Sequence, residues 1–183
     1  MAEEAKQPSP ENKEEPKEEQ KGDKKKPVIP QSQAYSLANF RVLIVDDYPF
    51  MTELMTSMLR EFGVGHLMQS EGGQDAKEIL TICNADPASR NPVDLVILDW
   101  LMPEFDGVDL LEWIRNHKKD SVKFVPVILC SAYTSETVVI KGRDFGANEV
   151  LVKPVSAEKF SKRILHVIDN PRPFIKAPDF FGP

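Results

Sequence analysis

The sequence predicts an α/β protein built on a doubly wound, five-stranded parallel sheet with helices on both faces. Between residues 38 and 170, five short apolar segments alternate with five longer segments of helical periodicity. Strands that alternate with helices run parallel, and right-handed crossovers then cover both faces of the sheet. The 183 residues, 41% of them hydrophobic, suit one globular domain with a substantial core.

The first half of this pattern supplies two strands and two helices. "FRVLIV" (40–45) predicts a buried strand, and "GHLMQS" (65–70) predicts a weaker one. "PFMTELMTSMLREF" (49–62) predicts a helix, because Pro49 suits a first turn and apolar residues recur at helical spacing. "GQDAKEILTIC" (73–83) predicts the second helix. The apolar stripe predicted for the first helix comprises Phe50, Met51, Leu54, Met55, Met58, Leu59 and Phe62.

The second half supplies three strands and three helices. The predicted strands are "VDLVIL" (93–98), "FVPVILC" (124–130) and the short "NEVLV" (148–152). The predicted helices are "GVDLLEWIRNH" (107–117), "SETVVIKGRDFG" (135–146) and "SAEKFSKRILHVID" (156–169). Gly146 suits the end of the fourth helix, and Ser156 suits the N-cap of the last one.

Composition divides the chain into three parts. Residues 1–37 are predicted to form a disordered charged tail, because a Glu-, Lys- and Pro-rich segment cannot bury enough apolar surface to offset its ordering entropy. Residues 38–170 form the folded domain. Residues 171–183 form a Pro- and Phe-rich tail outside the alternating pattern, since its prolines forbid a continuing helix. The phenylalanines of this tail could dock on a partner or on the domain itself; they are Phe174, Phe180 and Phe181.

Charge and composition exclude several classes of protein. A net charge of −6 argues against a surface for nucleic acid, which needs an excess of Lys and Arg on one face. The sequence shows neither an apolar run long enough for membrane insertion nor an export leader. Cys83 and Cys130 lie in apolar surroundings without metal-ligand spacing, so a reduced cytoplasmic protein is the simplest interpretation.

Polar side chains end four of the five predicted strands. Asp46 and Asp47 follow the first strand, Asp99 ends the third, Ser131 ends the fourth, and Lys153 follows the fifth. In open parallel sheets the functional crevice lies at the carboxyl ends of the strands. Each residue alone has an ordinary explanation as a helix cap, a turn residue or a solvated charge. Their convergence on one edge predicts a functional site.

The chemistry of these residues indicates a cation and a phosphoryl group. Three carboxylates in one pocket repel one another unless a cation is present, and oxygen ligands with open positions for water favour Mg²⁺. Nothing favours zinc, because His66, His117 and His166 are scattered along the chain. A Mg²⁺, a lysine, a hydroxyl and an aspartate suit phosphoryl transfer to a carboxylate, with Asp99 as the nucleophile.

The motifs "LIVDD", "VILDWLMPEFDG", "ILCSA" and "GANEVLVKP" occur in this order, and together they resemble the receiver domain of two-component response regulators over about residues 38–170. The resemblance implies a flavodoxin-like sheet of order 2-1-3-4-5. It also implies that Asp99 is the phosphoacceptor, and that Mg²⁺ is held by Asp46, Asp47, Asp99 and the backbone carbonyl of Leu101. The domain would then be no enzyme in the ordinary sense, since it catalyses only its own phosphorylation and dephosphorylation.

The resemblance also assigns the hydroxyl and the lysine. Ser131 takes the family's hydroxyl position, Lys153 takes its lysine position, and the Lys153–Pro154 peptide is expected to be cis. One position departs from the family, which often carries Tyr or Phe three residues before the lysine. This chain has Val150 there, so a repacking without a ring would have to replace the usual switch.

Two further positions flank the approach of water to the phosphoryl group in this family, and here they are Leu101 and Tyr133. Both are bulky and neither is an acid or an amide, so slow loss of the phosphoryl group is expected.

The partners implied are proteins. A histidine kinase or a histidine phosphotransfer protein would supply the phosphoryl group, and an unidentified protein effector would bind the phosphorylated form, with neither nucleic acid nor membrane insertion involved. About a dozen residues follow the last predicted helix, too few for a packed output domain. The run Val138, Val139 and Ile140 suggests an effector surface on the fourth helix, fifth strand and fifth helix, with Val150 on the same face.

Two alternatives remain open. A phosphohydrolase of the haloacid dehalogenase type uses a similar residue set, but it places its nucleophile after the first strand with a second aspartate two positions on. Here the first strand is followed by Asp46, Asp47 and Tyr48. The other alternative is a receiver-like interaction module that is not phosphorylated. A nucleotide-binding fold is weaker still, because "FGVGHLM" lacks the required glycine spacing.

Overall fold

The computed structural model describes residues 36–86, 88–103, 106–132, 136–178 and 180–183, with only the backbone described at 136–138. The prediction of a disordered segment falls almost wholly on residues 1–35 and lies outside the described residues. Of its last two positions, Leu37 begins a single 3₁₀ turn, Leu37–Asn39, and packs against the core.

Five parallel strands form one sheet of order β2-β1-β3-β4-β5, which confirms the predicted fold class. The strands are β1 Arg41–Val45, β2 His66–Ser70, β3 Leu95–Asp99, β4 Val127–Ser131 and β5 Glu149–Val152. The helices that connect and follow them are α1 Pro49–Glu61, α2 Gly73–Leu80, α3 Gly107–Arg115, α4 Glu136–Asp144 and α5 Ala157–Asp169. The sheet order places β1, β3 and β4 inside, where both faces are covered.

Two apolar layers lie on opposite faces of the sheet, because successive strand residues point to opposite sides. In β1, Val42 and Ile44 pack into the layer shared with α1 and α5, whereas Leu43 and Val45 pack into the layer shared with α2 and α3. All four side chains are fully buried. A strand covered on both faces must be apolar throughout, which explains the continuous runs in the sequence.

Helix α1 begins at Pro49, as predicted, but its apolar stripe is narrower than predicted. Met55 and Leu59 are buried, while Phe50 and Leu54 are exposed. Phe50 and Leu54 lie four residues apart, and each stands one position, about 100°, away from the row that faces the sheet. The prediction that they belong to the buried stripe is therefore wrong.

The predicted second helix ends at Cys83, two residues before the observed end, and the short helix before β4 was not predicted. The second helix continues into a π-helical turn, Thr81–Ala85, and a one-turn helix, Asp120–Lys123, precedes β4. Asn84 joins them, since its side-chain amide donates to the carbonyls of Val93 and Ser121, both at 3.0 Å. A buried amide with several partners stabilises an irregular segment that apolar periodicity does not mark.

The C-terminal tail forms an antiparallel hairpin, β6 Ile175–Ala177 and β7 Phe180–Gly182, separate from the main sheet. The sequence allows the phenylalanines of this tail to dock either on a partner or on the domain, and in the structure they dock on the domain. The rings of Phe174 and Phe181 lie with centroids 4.9 and 5.6 Å from that of Phe124, just before β4. The described part of the chain contains no helix that is long and apolar enough to cross a membrane.

Candidate functional site

Three carboxylates gather at the carboxyl ends of β1 and β3. Asp46 and Asp47 follow β1, Asp99 is the last residue of β3, and one oxygen of each lies within 4.8 Å of the others. Asp46 is buried, Asp99 is half-buried and Asp47 is exposed. This gradient leaves an opening on the Asp47 side. An open set of oxygen donors with surplus negative charge fits Mg²⁺, which keeps several waters when it binds.

Lys153 bridges the two inner carboxylates. Its Nζ lies 2.7 Å from Asp46 Oδ2 and 2.9 Å from Asp99 Oδ1. The lysine is positioned from its backbone, because its N–H donates to the carbonyl of Ser131 at 2.7 Å. The peptide that follows, Lys153–Pro154, is cis, as the resemblance implies. Burial alone would lower the pKa of Lys153, but hydrogen bonds to Asp46 and Asp99 outweigh it and raise the pKa above its ordinary value.

The carboxyl of Asp99 is poorly solvated. Burial raises its pKa above the ordinary value, and the hydrogen bond and charge of Lys153 only partly oppose that increase. The negative charge of Asp46 raises the pKa further. Asp46 itself is held in place by the backbone N–H of Tyr48, which donates to Oδ1 at 3.0 Å. The pocket therefore contains a desolvated anion whose ionised form an added cation would favour.

The segment after Asp99 is fixed on two sides. The N–H of Trp100 donates to Cys130 O in β4 at 2.7 Å, and its carbonyl accepts the N–H of Gly107 at 3.0 Å. A Cβ at position 107 would collide with the backbone oxygen of Asp99. The glycine at the start of α3 therefore allows the helix to approach the end of β3 closely.

The remaining predicted site residues differ in their surroundings. Ser131 is the last residue of β4 and is fully buried. Leu101, two residues after Asp99, is 48% exposed. Tyr133, predicted to cover the site, lies outside the described residues. Sequence reasoning missed Tyr48 and Phe50 as exposed side chains after the acidic pair, 58% and 64% exposed with ring centroids 6.0 Å apart. The exposure of Phe50 could have been predicted from its position on the helix, one residue before the row that contains Met51 and Met55.

Comparison with curated proteins finds chemotaxis regulators. The chain is 29% identical over 132 residues to chemotaxis protein CheY-3 of Vibrio cholerae, covering 72% of this chain and 94% of that protein. It is 27% identical over 130 residues to chemotaxis protein CheY of Pseudomonas aeruginosa, covering 71% of this chain and 97% of that protein. The alignments span nearly the full length of both relatives.

Solved structures give the same result. A CheX–CheY–BeF₃–Mg²⁺ complex from Borrelia burgdorferi matches with a TM-score of 0.59 at 30% identity, over 70% of this chain and 89% of that chain. A protein from Chloroflexus aurantiacus, assigned as a response regulator, matches with a TM-score of 0.62 at 26% identity. The match covers 72% of this chain and 98% of that chain. The family model of the response regulator receiver domain covers residues 42–165. This chain therefore belongs to the response regulator receiver family of two-component signalling proteins.

Proposed function

We propose that this protein accepts a phosphoryl group on Asp99 in a Mg²⁺-dependent reaction and signals by changing which protein it binds. The observation that carries the proposal is the position of Lys153 Nζ, within 3 Å of carboxylate oxygens of both Asp46 and Asp99. A lysine beside an aspartate at the edge of an acidic pocket can neutralise the oxygens of an incoming phosphoryl group. The phosphodonor class is a histidine kinase or a histidine phosphotransfer protein.

Each site residue has a role in this reaction. The Asp99 carboxylate attacks phosphorus, the phosphorus–nitrogen bond of the donor phosphohistidine breaks, and the imidazole keeps the bonding electron pair. Lys153 offsets charge on the phosphoryl oxygens, and Ser131 donates a hydrogen bond to one of them. Mg²⁺, held by Asp46, Asp47, Asp99 and the carbonyl of Leu101, would supply further charge neutralisation. The chain would catalyse only this transfer and the later hydrolysis.

Two surfaces suit the protein partners. Near the acceptor, the exposed Tyr48, Phe50 and Leu101 offer apolar contact to a phosphodonor whose histidine must reach Asp99. On α4, the half-exposed Ile140 supports an effector surface formed by α4, β5 and α5. In the Borrelia burgdorferi complex a CheY is bound to CheX together with BeF₃ and Mg²⁺, and this supports by analogy a receiver that signals through protein contact.

Neither alternative explains the site as well. A phosphohydrolase of the haloacid dehalogenase type would carry its nucleophile after β1 with a second aspartate two positions on, whereas Tyr48 occupies the position two residues after Asp46. An interaction module without phosphorylation would have no use for three carboxylates within 4.8 Å of one another, because clustered like charges destabilise a fold.

Intact-mass measurement tests the proposal. With Mg²⁺ and acetyl phosphate, the wild-type protein should gain one phosphoryl group and Asp99→Asn should gain none. Asp75→Asn, which alters an exposed carboxylate on α2, is the matched control and should be labelled like the wild type. Equal labelling of Asp99→Asn would contradict the assignment of the acceptor.

A further inference from the structure

Helix α4 packs closely on the domain at Gly142, where an added Cβ would have to displace neighbouring side chains. A Cβ at Gly142 would lie 2.7 Å from Val150 Cγ2, 3.2 Å from Leu129 Cδ2 and 3.3 Å from Trp100 Cζ3. The helix backbone itself therefore contacts the side chains of β4, β5 and the acceptor loop. A contact this close transmits displacement, because packed interiors have little free volume to absorb it.

Trp100 connects this contact to the acceptor. It follows Asp99 directly, and its backbone N–H and carbonyl are hydrogen bonded to β4 and to Gly107 respectively. Its indole packs with Val150 against the core layer that contains Leu129. A change in the position or charge of the Asp99 side chain therefore acts on a residue whose ring edge touches α4.

Just after the end of α4, the chain meets the C-terminal hairpin through a second glycine, Gly146, four residues after Gly142. Gly146 has φ +90°, and a Cβ there would lie 2.7 Å from Phe181 O. A Cβ on the buried Gly182 would in turn lie 2.6 Å from Gly146 Cα. Two backbones are thus in direct contact, so the hairpin must shift when the end of α4 shifts.

Further contacts attach the C-terminal segment to the end of α3, to the one-turn helix before β4 and to the first residue of β5. Lys123 Nζ lies 4.0 Å from the ring centroid of Phe181, and the Arg115 guanidinium lies 5.1 Å from that of Phe174. Arg172 pairs with Glu149 Oε1 at 3.3 Å at the first residue of β5. These contacts are weak individually, so the hairpin is attached by a set of interactions that a small shift can disrupt together.

We infer that α4 couples the acceptor to the C-terminal hairpin, so that phosphorylation of Asp99 loosens the hairpin from the domain. The inference rests on the proposed function only in that Asp99 must accept a phosphoryl group. Because the backbones at Gly146 and Gly182 are packed too closely for a Cβ on either, a displacement of the end of α4 disrupts this contact and cannot tighten it. Linkage requires the reciprocal effect: detaching the hairpin must favour binding at Asp99 by the same factor.

Hydrogen exchange of the full-length protein with Mg²⁺ and beryllofluoride, a phosphoryl mimic, tests the coupling. The amides of β6 and β7, residues 175–177 and 180–182, should exchange about fivefold faster when the mimic is bound. Trp100→Phe, which shortens the ring that touches Gly142, should reduce this change by half or more. Trp113→Phe is the matched control, because Trp113 packs against the same core layer from α3 and should leave the response intact.

The reciprocal arm measures the apparent affinity for beryllofluoride. Phe181→Ala, and the milder Phe181→Leu, should bind the mimic more tightly, about fivefold for the alanine variant, while Ile175→Ala at an exposed hairpin position should match the wild type. Failure of the wild type to bind the mimic would overturn both this inference and the proposed function. Binding without faster hairpin exchange, or an unchanged affinity in both Phe181 variants, would overturn the coupling alone.

Discussion

Two cations, the partly buried Lys153 and the buried Arg115, lie at opposite ends of the parallel strands, and their surroundings differ in kind. At the carboxyl ends of the strands, which form the proposed acceptor edge, Lys153 lies between Asp46 and Asp99 in a pocket with more carboxylates than cations. At the other edge, Arg115 is 2% exposed, and its hydrogen-bond partners among the described residues are neutral oxygens. The first arrangement has surplus negative charge, and the second has a cation surrounded by fixed dipoles.

The hydrogen bonds of the Arg115 guanidinium hold the end of α3 to the segments before β4 and β5. The guanidinium donates to the carbonyls of Gly146, Lys123 and Val125 and to the side chain of Asn148, all between 2.8 and 3.1 Å. Burial lowers the pKa of Arg115 to about 9, so it stays charged at neutral pH. A buried charge whose hydrogen bonds are all made stabilises the packing of the segments it contacts. A cluster with surplus negative charge is instead suited to bind a cation.

The largest effect is expected from a substitution of Arg115, at the amino ends of the strands. Arg115→Met should lower the free energy of unfolding by about 3 kcal/mol or more, because several buried carbonyls each lose a donor at a cost of ~1–3 kcal/mol. Urea denaturation measures this change, and Arg60→Met, at an exposed position on α1, is the control. A change below about 1 kcal/mol would mean that water replaces the guanidinium and that the two edges do not differ as described.

Lys153→Met breaks the acceptor edge. Phosphorylation by acetyl phosphate should slow by about 10²-fold, equivalent to ~2.7 kcal/mol, because charge on the transferring group is no longer neutralised. Initial rates from intact-mass time courses measure it. Lys162→Met is the control, since Lys162 forms an exposed ion pair on α5. Wild-type rates for Lys153→Met would remove this lysine from the reaction.

Mg²⁺ sharpens the contrast, because it should stabilise only the edge with surplus negative charge. At tenfold the dissociation constant, a ligand that binds only the folded state adds about 1.4 kcal/mol of stability. The melting temperature should therefore rise with Mg²⁺ for the wild type and much less for Asp47→Ala. Differential scanning calorimetry measures both, and an equal rise in the two proteins would place the bound cation elsewhere.

Leu101 tests how far the rim of the site shields the phosphoryl group. Leu101→Asn should speed loss of the phosphoryl group by up to about tenfold, ~1.4 kcal/mol in barrier, because an amide can orient the attacking water. The decay of the phosphorylated mass after removal of the donor measures this rate. A decay rate equal to that of the wild type would show that Leu101 does not shield the acceptor.

The pH dependence of stability gives the smallest expected effect. Because burial raises the folded-state pKa of Asp99, its ionisation costs stability once the pH rises above the unfolded value of 3.8. Without Mg²⁺, Asp99→Asn should therefore be more stable than the wild type at pH 7, and the difference should shrink as the pH falls toward 3.8. Denaturation at several pH values measures it; a less stable variant at pH 7 would mean that the Lys153 pair outweighs desolvation.

The sequence by itself determined the sheet and the composition of the acceptor edge. Strands covered on both faces require continuous apolar runs, so "FRVLIV" and "VDLVIL" could be identified without tertiary information. Residues that end parallel strands must share an edge, and for that reason Asp46, Asp99 and Lys153 could be placed together before any distance was known.

Only the tertiary structure decided which side chains at the other edge are buried. Arg115 is in sequence a basic residue in the last turn of a helix, and its burial depends on carbonyls of two other segments, one before β4 and one before β5. The sequence shows that Phe174 and Phe181 are apolar but not what they contact. In the structure both rings pack against Phe124 of the same domain. Gly142 and Gly146 carry no side chain to signal contact. Local patterns report how much of an element is buried, but the identity of its neighbours depends on how distant segments pack.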